Sequence, residues 1–271
     1  LYLILISYII NIQMAKNNID RIANKLVNAF LKNKIISPIP TRYTKKINQA
    51  NKLRKLCESK IQKPIAGFKA GGTGIPLLKK LKEKEPFYAS VYSHNVLKDK
   101  KTVKINKYTL GIELEVCYII KKNFLDLKRS LNNNTIKKYI SYIAPCIEIV
   151  GYRQRKKGIK SLGDLCSDFG GNYKFIIGAK IKYKNKNVKN LKTILFNKKI
   201  NYSINGNTNT VYVNPLNSLV FVLRKLIKDK VKIHKDFYVF TGSTIGVAPI
   251  NGKGIFKGKI DKLGSVTTKV L

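Results

Sequence analysis

Apolar runs alternate with short polar and glycine-rich segments over most of the chain, a pattern typical of buried β-strands joined by turns. Residues 109–120 form one such run, which is rich in branched and aromatic side chains and is interrupted by Glu113 and Glu115. Because side chains at positions i and i+2 of a strand point to the same face, we expect the two carboxylates to lie roughly 6–7 Å apart on one side of a sheet.

Two like charges within an apolar strand cost free energy unless something neutralises them. A third carboxylate, Glu148, interrupts another apolar run shortly after Pro145. Three carboxylates without a nearby His or Cys pair predict a hard, oxygen-liganded cation, Mg²⁺ or Mn²⁺, with positions left for water and substrate. The alternative is that Glu113 or Glu115 faces solvent from an edge strand or pairs with one of the many lysines.

Helical periodicity is confined to a few segments. Apolar positions between residues 19 and 30 recur at helical spacing, and Asn17 or Asn18 is the expected N-cap. Residues 44–59 predict a second helix. These two helices would form an N-terminal annex over residues 14–62, followed by a β-rich domain over residues 63–271.

Three further segments carry local signals. Asn214 and Pro215 have the residue types of an N-cap and a first helical position, so a helix is predicted after them. Residues 205–206, Asn-Gly, predict a hairpin turn. Residues 152–158 are basic and are expected to be exposed.

A glycine-rich turn follows an apolar strand at residues 65–74, and that strand carries Lys69. Its spacing matches neither a phosphate-binding loop nor a dinucleotide fingerprint. Glycines such as Gly72 allow a ligand to approach the backbone closely, and Lys69 is placed to contact an anionic substrate. The alternative is an ordinary surface lysine. Thr241 and Ser243 follow another apolar strand and suit a substrate carboxylate, although an ordinary turn also explains them.

Charge first suggests a nucleic-acid partner, because 54 Lys and Arg stand against 14 Asp and Glu and the pI is about 10.1. The basic residues are mostly Lys and are spread through every segment, which argues against one polyanion-binding face. We therefore do not expect nucleic acid to bind. The four cysteines have no C-x-x-C spacing and are expected to be reduced core residues of a cytoplasmic protein.

Residues 1–13 begin with an apolar stretch that is about half the roughly 20 residues that a membrane span needs. Met14 is the only methionine, so we expect translation to start there and residues 1–13 to be an upstream extension. A short membrane anchor is the alternative.

The order of the motifs resembles the 2-keto-4-pentenoate hydratase family of the fumarylacetoacetate hydrolase superfamily. The resemblance runs from about residue 17 to the end of the chain. It is carried by Gly67-Phe68-Lys69, Pro86-Phe87-Tyr88, the segment from Gly111 to Glu115, the segment from Pro145 to Val150, Asp168 with its glycines, Asn214-Pro215-Leu216, Thr241-Gly242-Ser243 and Leu263-Gly264-Ser265-Val266.

The resemblance implies an α+β fold, with a mixed β-roll core and a small N-terminal helical part, in a homo-oligomer. It also implies Mg²⁺ or Mn²⁺ at Glu113, Glu115 and Glu148, with Lys69 holding or transferring a proton. The implied reaction is hydration of a 2-hydroxy-2,4-dienoate to a 4-hydroxy-2-oxo acid, in which the metal stabilises an enolate. Thr241 and Ser243 would lie near the substrate.

Two positions depart from the family pattern. An Asp that usually partners the lysine is replaced by His94, which can transfer protons near neutral pH or can be a bystander. Asp168, expected in the substrate site, is followed by Phe169 instead of the usual Asn. Both departures bear on hydration more than on metal binding.

Three other functions remain open. A decarboxylase of a 2-oxo-enedioate would share the metal and the enolate chemistry. A hydrolase of acylpyruvates needs an activated water, and the N-terminal region lacks the His–Glu pair that would supply it. The last alternative is a non-catalytic or polyanion-binding protein.

Overall fold

A computed structural model describes the backbone of residues 2–271, with all side chains except those of residues 2–12, 14–16, 128 and 129. Its helices are α1 (Tyr2–Leu31), α2 (Ile47–Ser59), α3 (Ile75–Lys80), α4 (Leu162–Ser167) and α5 (Pro215–Lys228). Its strands are β1 (Ile65–Gly71), β2 (Phe87–Tyr92), β3 (Val96–Lys98), β4 (Thr102–Val103), β5 (Thr109–Ile120), β6 (Ile140–Gly151), β7 (Asn172–Ile177), β8 (Ile181–Lys182), β9 (Lys192–Asn197), β10 (Tyr202–Asn207), β11 (Phe237–Ser243), β12 (Gly254–Ile260) and β13 (Gly264–Val270).

Helix α1 begins well before the predicted cap. Asn17 and Asn18 lie inside the helix, so the predicted start is wrong; no proline or glycine precedes them to interrupt a helical backbone. The predicted apolar face is nevertheless buried, and Leu26 and Phe30 pack with residues of α2. Tyr92 and Phe169 belong to the same cluster, so the helical annex shares apolar contacts with the β-rich part.

Among the described residues, no helix has both the length and the hydropathy needed to cross a bilayer. The side chains of residues 1–12 lie outside the described part of the chain. That residues 1–13 are an upstream extension therefore stays a prediction.

The larger sheet has the strand order β2-β1-β11-β5-β6-β7-β3, and β8 pairs with β6. It is mixed, because β1 runs parallel to β11 and β3 runs parallel to β7 while the other pairs are antiparallel. The edge strands β2 and β3 are separated in sequence by the short turn Ser93–Asn95. Since a few residues span only about 3.3–3.6 Å each, the two edges lie close together and the sheet must curl.

The two faces of β5 have different surroundings. Ile112, Leu114 and Val116 join the main core, which also contains residues of α5 and of the smaller sheet. Glu113, Glu115 and Cys117 alternate with them and therefore point to the inner face of the curled sheet. The inner face holds the candidate site.

The smaller sheet has the order β10-β9-β12-β13-β4. The predicted turn at Asn205-Gly206 is wrong, because both residues lie within β10 and pair with β9. The β9–β10 turn instead uses Lys198–Ile200 and Asn201, whose φ is 46°. Asn tolerates this left-handed conformation, so the turn is at an asparagine but not at the predicted one.

The predicted start of α5 is confirmed. The Asn214 side chain accepts a hydrogen bond of 3.0 Å from the backbone N–H of Leu216, and Pro215 is the first helical residue. The cap fixes the orientation of a helix whose apolar face covers the outer side of the sheet.

Candidate metal and substrate site

Three carboxylates from two adjacent strands meet on the inner face of the large sheet. Glu113 on β5 is the direct partner of Glu148 on β6, and Glu115 lies two residues further along the same face. Glu115 and Glu148 are fully buried, and Glu113 is 9% exposed. Each residue offers an oxygen, and these atoms lie within 4.8 Å of one another. The strand register therefore gathers residues that are 35 positions apart in sequence.

The ionisation of these carboxylates is perturbed. Burial, with the charges of Glu148 and Glu113 adding to it, raises the pKa of Glu115 well above its usual value. Burial also raises the pKa of Glu148 to about 7, although Lys69 acts in the opposite direction. The pKa of Glu113 is raised by burial and lowered by Lys69, with a net increase. A cation that replaced the lost solvation would hold all three groups ionised.

Two oxygens of the cluster are free to bind such a cation. Glu115 Oε1 and Glu148 Oε2 are buried and accept no hydrogen bond from the described residues. Unpaired buried carboxylate oxygens are costly, and an oxygen-only donor set suits Mg²⁺ or another hard divalent ion. The residues present therefore fit a divalent metal.

Lys69 on β1 completes the charge arrangement. Its Nζ lies 2.5 Å from Glu148 Oε1 and donates a second hydrogen bond of 3.1 Å to the carbonyl of Gly170. Burial lowers the pKa of Lys69, but the carboxylates of Glu148, Glu113 and Glu115 outweigh burial and raise it. When all four groups are ionised their net charge is −2, which one divalent cation would neutralise.

A cavity of about 470 Å³ reaches this cluster, and its inner end includes Lys69 and Glu113. The glycine-rich turn forms one wall with Gly71, Gly72 and Gly74. Gly242 packs against this turn and also lines the cavity; its φ is +104°, and its backbone N–H donates a hydrogen bond of 3.0 Å to Glu115 Oε2. A Cβ at Gly242 would lie 2.1 Å from Thr73 Oγ1, so only glycine fits there.

The other predicted substrate residues of this region divide into two groups. Gly72 and Ser243 line the cavity, and the Ser243 hydroxyl donates to the carbonyl of Gly246 at 2.8 Å. Thr241 is fully buried and donates to the carbonyl of Val116 at 2.9 Å. Thr241 is not among the described residues that line the cavity. Its hydrogen bond instead joins β11 to β5.

Asp168 is not in the cavity. It is buried, and it accepts hydrogen bonds from the Arg153 backbone N–H at 2.5 Å and from the Arg153 guanidinium at 2.9 Å. Arg153 is only 1% exposed and lies 4.7 Å from the ring centroid of Phe30. The prediction that residues 152–158 are exposed is therefore wrong for Tyr152, Arg153 and Gln154. The Phe30 ring and the Asp168 carboxylate enclose the Arg153 guanidinium.

The turn after Asp168 brings in a residue that the sequence did not single out. Phe169, Gly170 and Gly171 all have positive φ, at 54°, 70° and 73°. Asn tolerates the left-handed conformation, whereas Phe169 is strained there and is held by its packing with Phe30 at 4.4 Å. The turn presents the Gly170 carbonyl to Lys69. The Gly-Gly pair was the only sequence signal for it.

His94 lies away from the cluster. It follows β2 in the turn Ser93–Asn95, is exposed, and packs its ring against Tyr92 and Phe30. Lys69 pairs with Ala89, five residues before His94. The structure therefore does not bring His94 to Lys69, and Glu148 takes the place of the expected lysine partner.

Apolar side chains fill the inner face beyond the carboxylates. Cys117 and Cys146 lie two residues from Glu115 and Glu148, and both thiols are buried and free. Phe175 and Phe240 pack within the same cluster, with ring centroids 4.4 Å apart and ring planes tilted by 35°. We call these four side chains the floor of the site.

Comparison with protein-family models gives no match, and comparison with curated proteins gives no significant match. Solved structures do match. A 4-oxalocrotonate decarboxylase from Pseudomonas putida G7, complexed with magnesium and adipate, superposes with a TM-score of 0.83 at 17% identity, covering 94% of this chain and 98% of that one.

Two more distant structures agree. A 2-hydroxyhepta-2,4-diene-1,7-dioate isomerase from Mycobacterium marinum has a TM-score of 0.54 at 14% identity, covering 77% of this chain and 76% of that one. A protein from Yersinia pestis CO92 assigned to the fumarylacetoacetate hydrolase family has a TM-score of 0.54 at 14% identity, covering 78% and 95%. The predicted α+β class is confirmed, and the chain has the fold of the fumarylacetoacetate hydrolase superfamily.

Proposed function

We propose that the chain is a divalent-metal-dependent enzyme that adds water to a 2-hydroxy-2,4-dienoate of the 2-oxopent-4-enoate type, giving a 4-hydroxy-2-oxo acid. The observation that carries the proposal is the convergence of Glu113, Glu115 and Glu148 beside Lys69 at the inner end of a cavity. A cavity of about 470 Å³ is of the size that small ligands occupy.

Glu113, Glu115 and Glu148 would hold Mg²⁺ or Mn²⁺. When bound, such an ion supplies Lewis-acid polarisation of the C2 oxygen of a 2-oxo acid. The glycine-rich turn lines the same cavity, and its backbone would contact the substrate carboxylate.

Lys69 is the proposed proton-transfer group. Its Nζ carries a proton at neutral pH because the carboxylates raise its pKa, and it lies at the cavity wall. Ketonisation moves the proton of the C2 hydroxyl to C5 and leaves a C3=C4 double bond conjugated with the C2 carbonyl. Water then adds its hydroxyl at C4 and its proton at C3. Both steps need a group that gives and recovers a proton, which is the role of Lys69.

Decarboxylation of a 2-oxo-enedioate is the second candidate. The specific observation in its favour is the higher TM-score of the 4-oxalocrotonate decarboxylase, 0.83 against 0.54 for the isomerase. It would use the same carboxylates and the same lysine. A small 2-oxo acid as ligand, a homo-oligomer and a cytoplasmic location belong to the proposal for either reaction.

The test is turnover of a panel of 2-hydroxydienoates and 2-oxo-enedioates with and without Mg²⁺, with product identification. Hydration predicts metal-dependent loss of the dienol without CO₂ release. Glu115→Gln should lower turnover at least about 100-fold, since it removes a buried ligand. Glu85→Gln is the matched control, because Glu85 is at the surface and pairs with Lys225. Equal rates for the wild type and Glu115→Gln would overturn the proposal.

A further inference from the structure

The outer part of the 470 Å³ cavity differs in chemistry from its inner end. Leu77 on α3 and Val247 lie on its wall and are 42% and 50% exposed, and Pro76 and Ile245 line it with them. We call these four residues the apolar rim. Exposed apolar side chains around a cavity mark a surface that a ligand can cover.

Charged groups are confined to the inner end. Among the described residues that line the cavity, the ionisable ones are Lys69 and Glu113. Lys69 is already paired with Glu148 at 2.5 Å. A second carboxylate at the outer end of a ligand would therefore meet no cationic side chain of the lining.

Three hydroxyl groups of the wall donate to the backbone. Ser243 donates to the carbonyl of Gly246, Thr244 to that of Leu114 and Thr210 to that of Asn207, each at 2.8 Å. Asn205 adds an uncharged amide to the lining. An anionic group pressed against this wall would lose water without gaining a charged partner, and that loss is costly.

We propose that the apolar rim is a specificity-determining surface that accepts an uncharged tail and discriminates against a second carboxylate. The ligand class is then a 2-oxo acid with one carboxylate, held at the inner end, and a short apolar or hydroxylated tail along Leu77 and Val247. This inference rests on the proposed function and selects, within it, the monocarboxylate substrates over the enedioates.

The net positive charge of the chain does not remove the preference for ligands with one carboxylate. The net charge of +40 attracts any anion towards the protein, but exposed charges separated by more than about 8–10 Å are largely screened at physiological salt. A long-range field speeds the encounter of both ligand classes, whereas contacts within the cavity distinguish them.

The experiment compares 2-oxopentanoate with 2-oxohexanedioate, two non-reacting probes that differ in the charge of the tail. Calorimetry with the full chain and saturating Mg²⁺ measures each dissociation constant. We expect 2-oxopentanoate to bind at least about tenfold more tightly, because burying an unpaired carboxylate is unfavourable.

The variant Leu77→Arg places a cation at the rim and should strengthen 2-oxohexanedioate binding about tenfold, since a charge-assisted hydrogen bond is among the stronger polar contacts. Ile159→Arg is the matched control, because Ile159 is 43% exposed and is not among the residues lining the cavity. It should leave the ratio of the two constants unchanged. Val247→Arg repeats the test at a second rim position if Leu77→Arg does not fold.

The outcomes separate the two proposals. Binding of 2-oxopentanoate with the expected preference, reduced by either rim variant and not by Ile159→Arg, supports the rim. Equal or tighter binding of 2-oxohexanedioate to the wild type overturns the specificity inference and leaves the metal-dependent function standing. Failure of both acids to bind in the presence of Mg²⁺ overturns both.

Discussion

Lys69 and Glu148 form a buried ion pair, with Nζ and Oε1 2.5 Å apart, between strands that are not neighbours in the sheet. The other oxygen, Glu148 Oε2, accepts no hydrogen bond from the described residues. One carboxylate thus has one oxygen paired with the lysine and a second, buried oxygen without a hydrogen bond. Lysine and metal can share Glu148 without competing for one atom.

Lys69→Met should destabilise the metal-free protein by about 3–5 kcal/mol, because it leaves a buried carboxylate without its partner. In a chain of this size, each kcal/mol of lost stability lowers Tm by roughly 2–4 °C. Turnover with saturating Mg²⁺ should fall by about 10²–10⁴-fold, the usual contribution of a proton-transfer group. Thermal denaturation and steady-state kinetics measure the two effects.

Lys174→Met is the control for that variant. Lys174 is half-buried and donates to the carbonyl of His94 at 3.0 Å, away from the carboxylates. It should keep wild-type turnover. If Lys69→Met also kept it, Lys69 would have no part in the reaction.

The stability of the metal-free protein should fall as pH rises from about 4.5 to 7. Burial raises the pKa of Glu148 to about 7 from the usual 4.5, so in this window the folded chain holds a proton that the unfolded chain releases. The contribution of Glu148 to the free energy of unfolding is fully present below the usual pKa of 4.5 and is lost as pH rises through the folded-state pKa of about 7.

Metal binding should show the opposite trend, because the ion needs the ionised carboxylate. The increase in Tm caused by Mg²⁺ should therefore grow between about pH 6 and about pH 8. A metal-induced shift that is constant over this range would contradict the assignment of Glu148 as a ligand. Glu85→Gln, which alters a surface carboxylate, should follow the wild-type curve.

His94→Ala should leave turnover and its pH profile unchanged, because His94 is exposed and outside the cavity. Its effect on stability should stay within about 0.5 kcal/mol, which is typical of surface substitutions. Loss of activity in this variant would restore the proton-transfer role that the sequence left open for His94. The measurement is kcat/KM across the pH range.

Asp168→Asn should cost about 3–5 kcal/mol of stability, since it leaves the Arg153 guanidinium buried without a counter-charge. Substrate affinity of the folded fraction should change little, because Asp168 is outside the cavity lining. Chemical denaturation gives the first value and calorimetry with 2-oxopentanoate gives the second. A large loss of affinity without loss of stability would place Asp168 in the substrate site after all.

The sequence predicted the site best where a local rule applied. Glu113 and Glu115 share a face because a strand has a period of two, and this follows from their spacing alone. That Glu148 lies opposite Glu113 depends on the register of two strands, which local patterns do not determine. The shared motif order supplied the link between them.

Two of the wrong expectations involve distant contacts. Arg153 follows a strand in a basic segment, and only the folded chain shows that Phe30 and Asp168 enclose it. Asn205-Gly206 has the composition of a turn, but pairing with β9 extends the strand through it. In each case tertiary packing outweighed a local preference.

The floor has a consequence for the direction of ligand movement. Phe175, Phe240 and the two cysteine side chains occupy the inner face beyond the carboxylates, so the described side chains leave the rim as the route to Lys69. Substrate, attacking water and product would all pass between Leu77 and Val247. A product that dissociates slowly would then delay the next substrate, and its inhibition of turnover would be competitive.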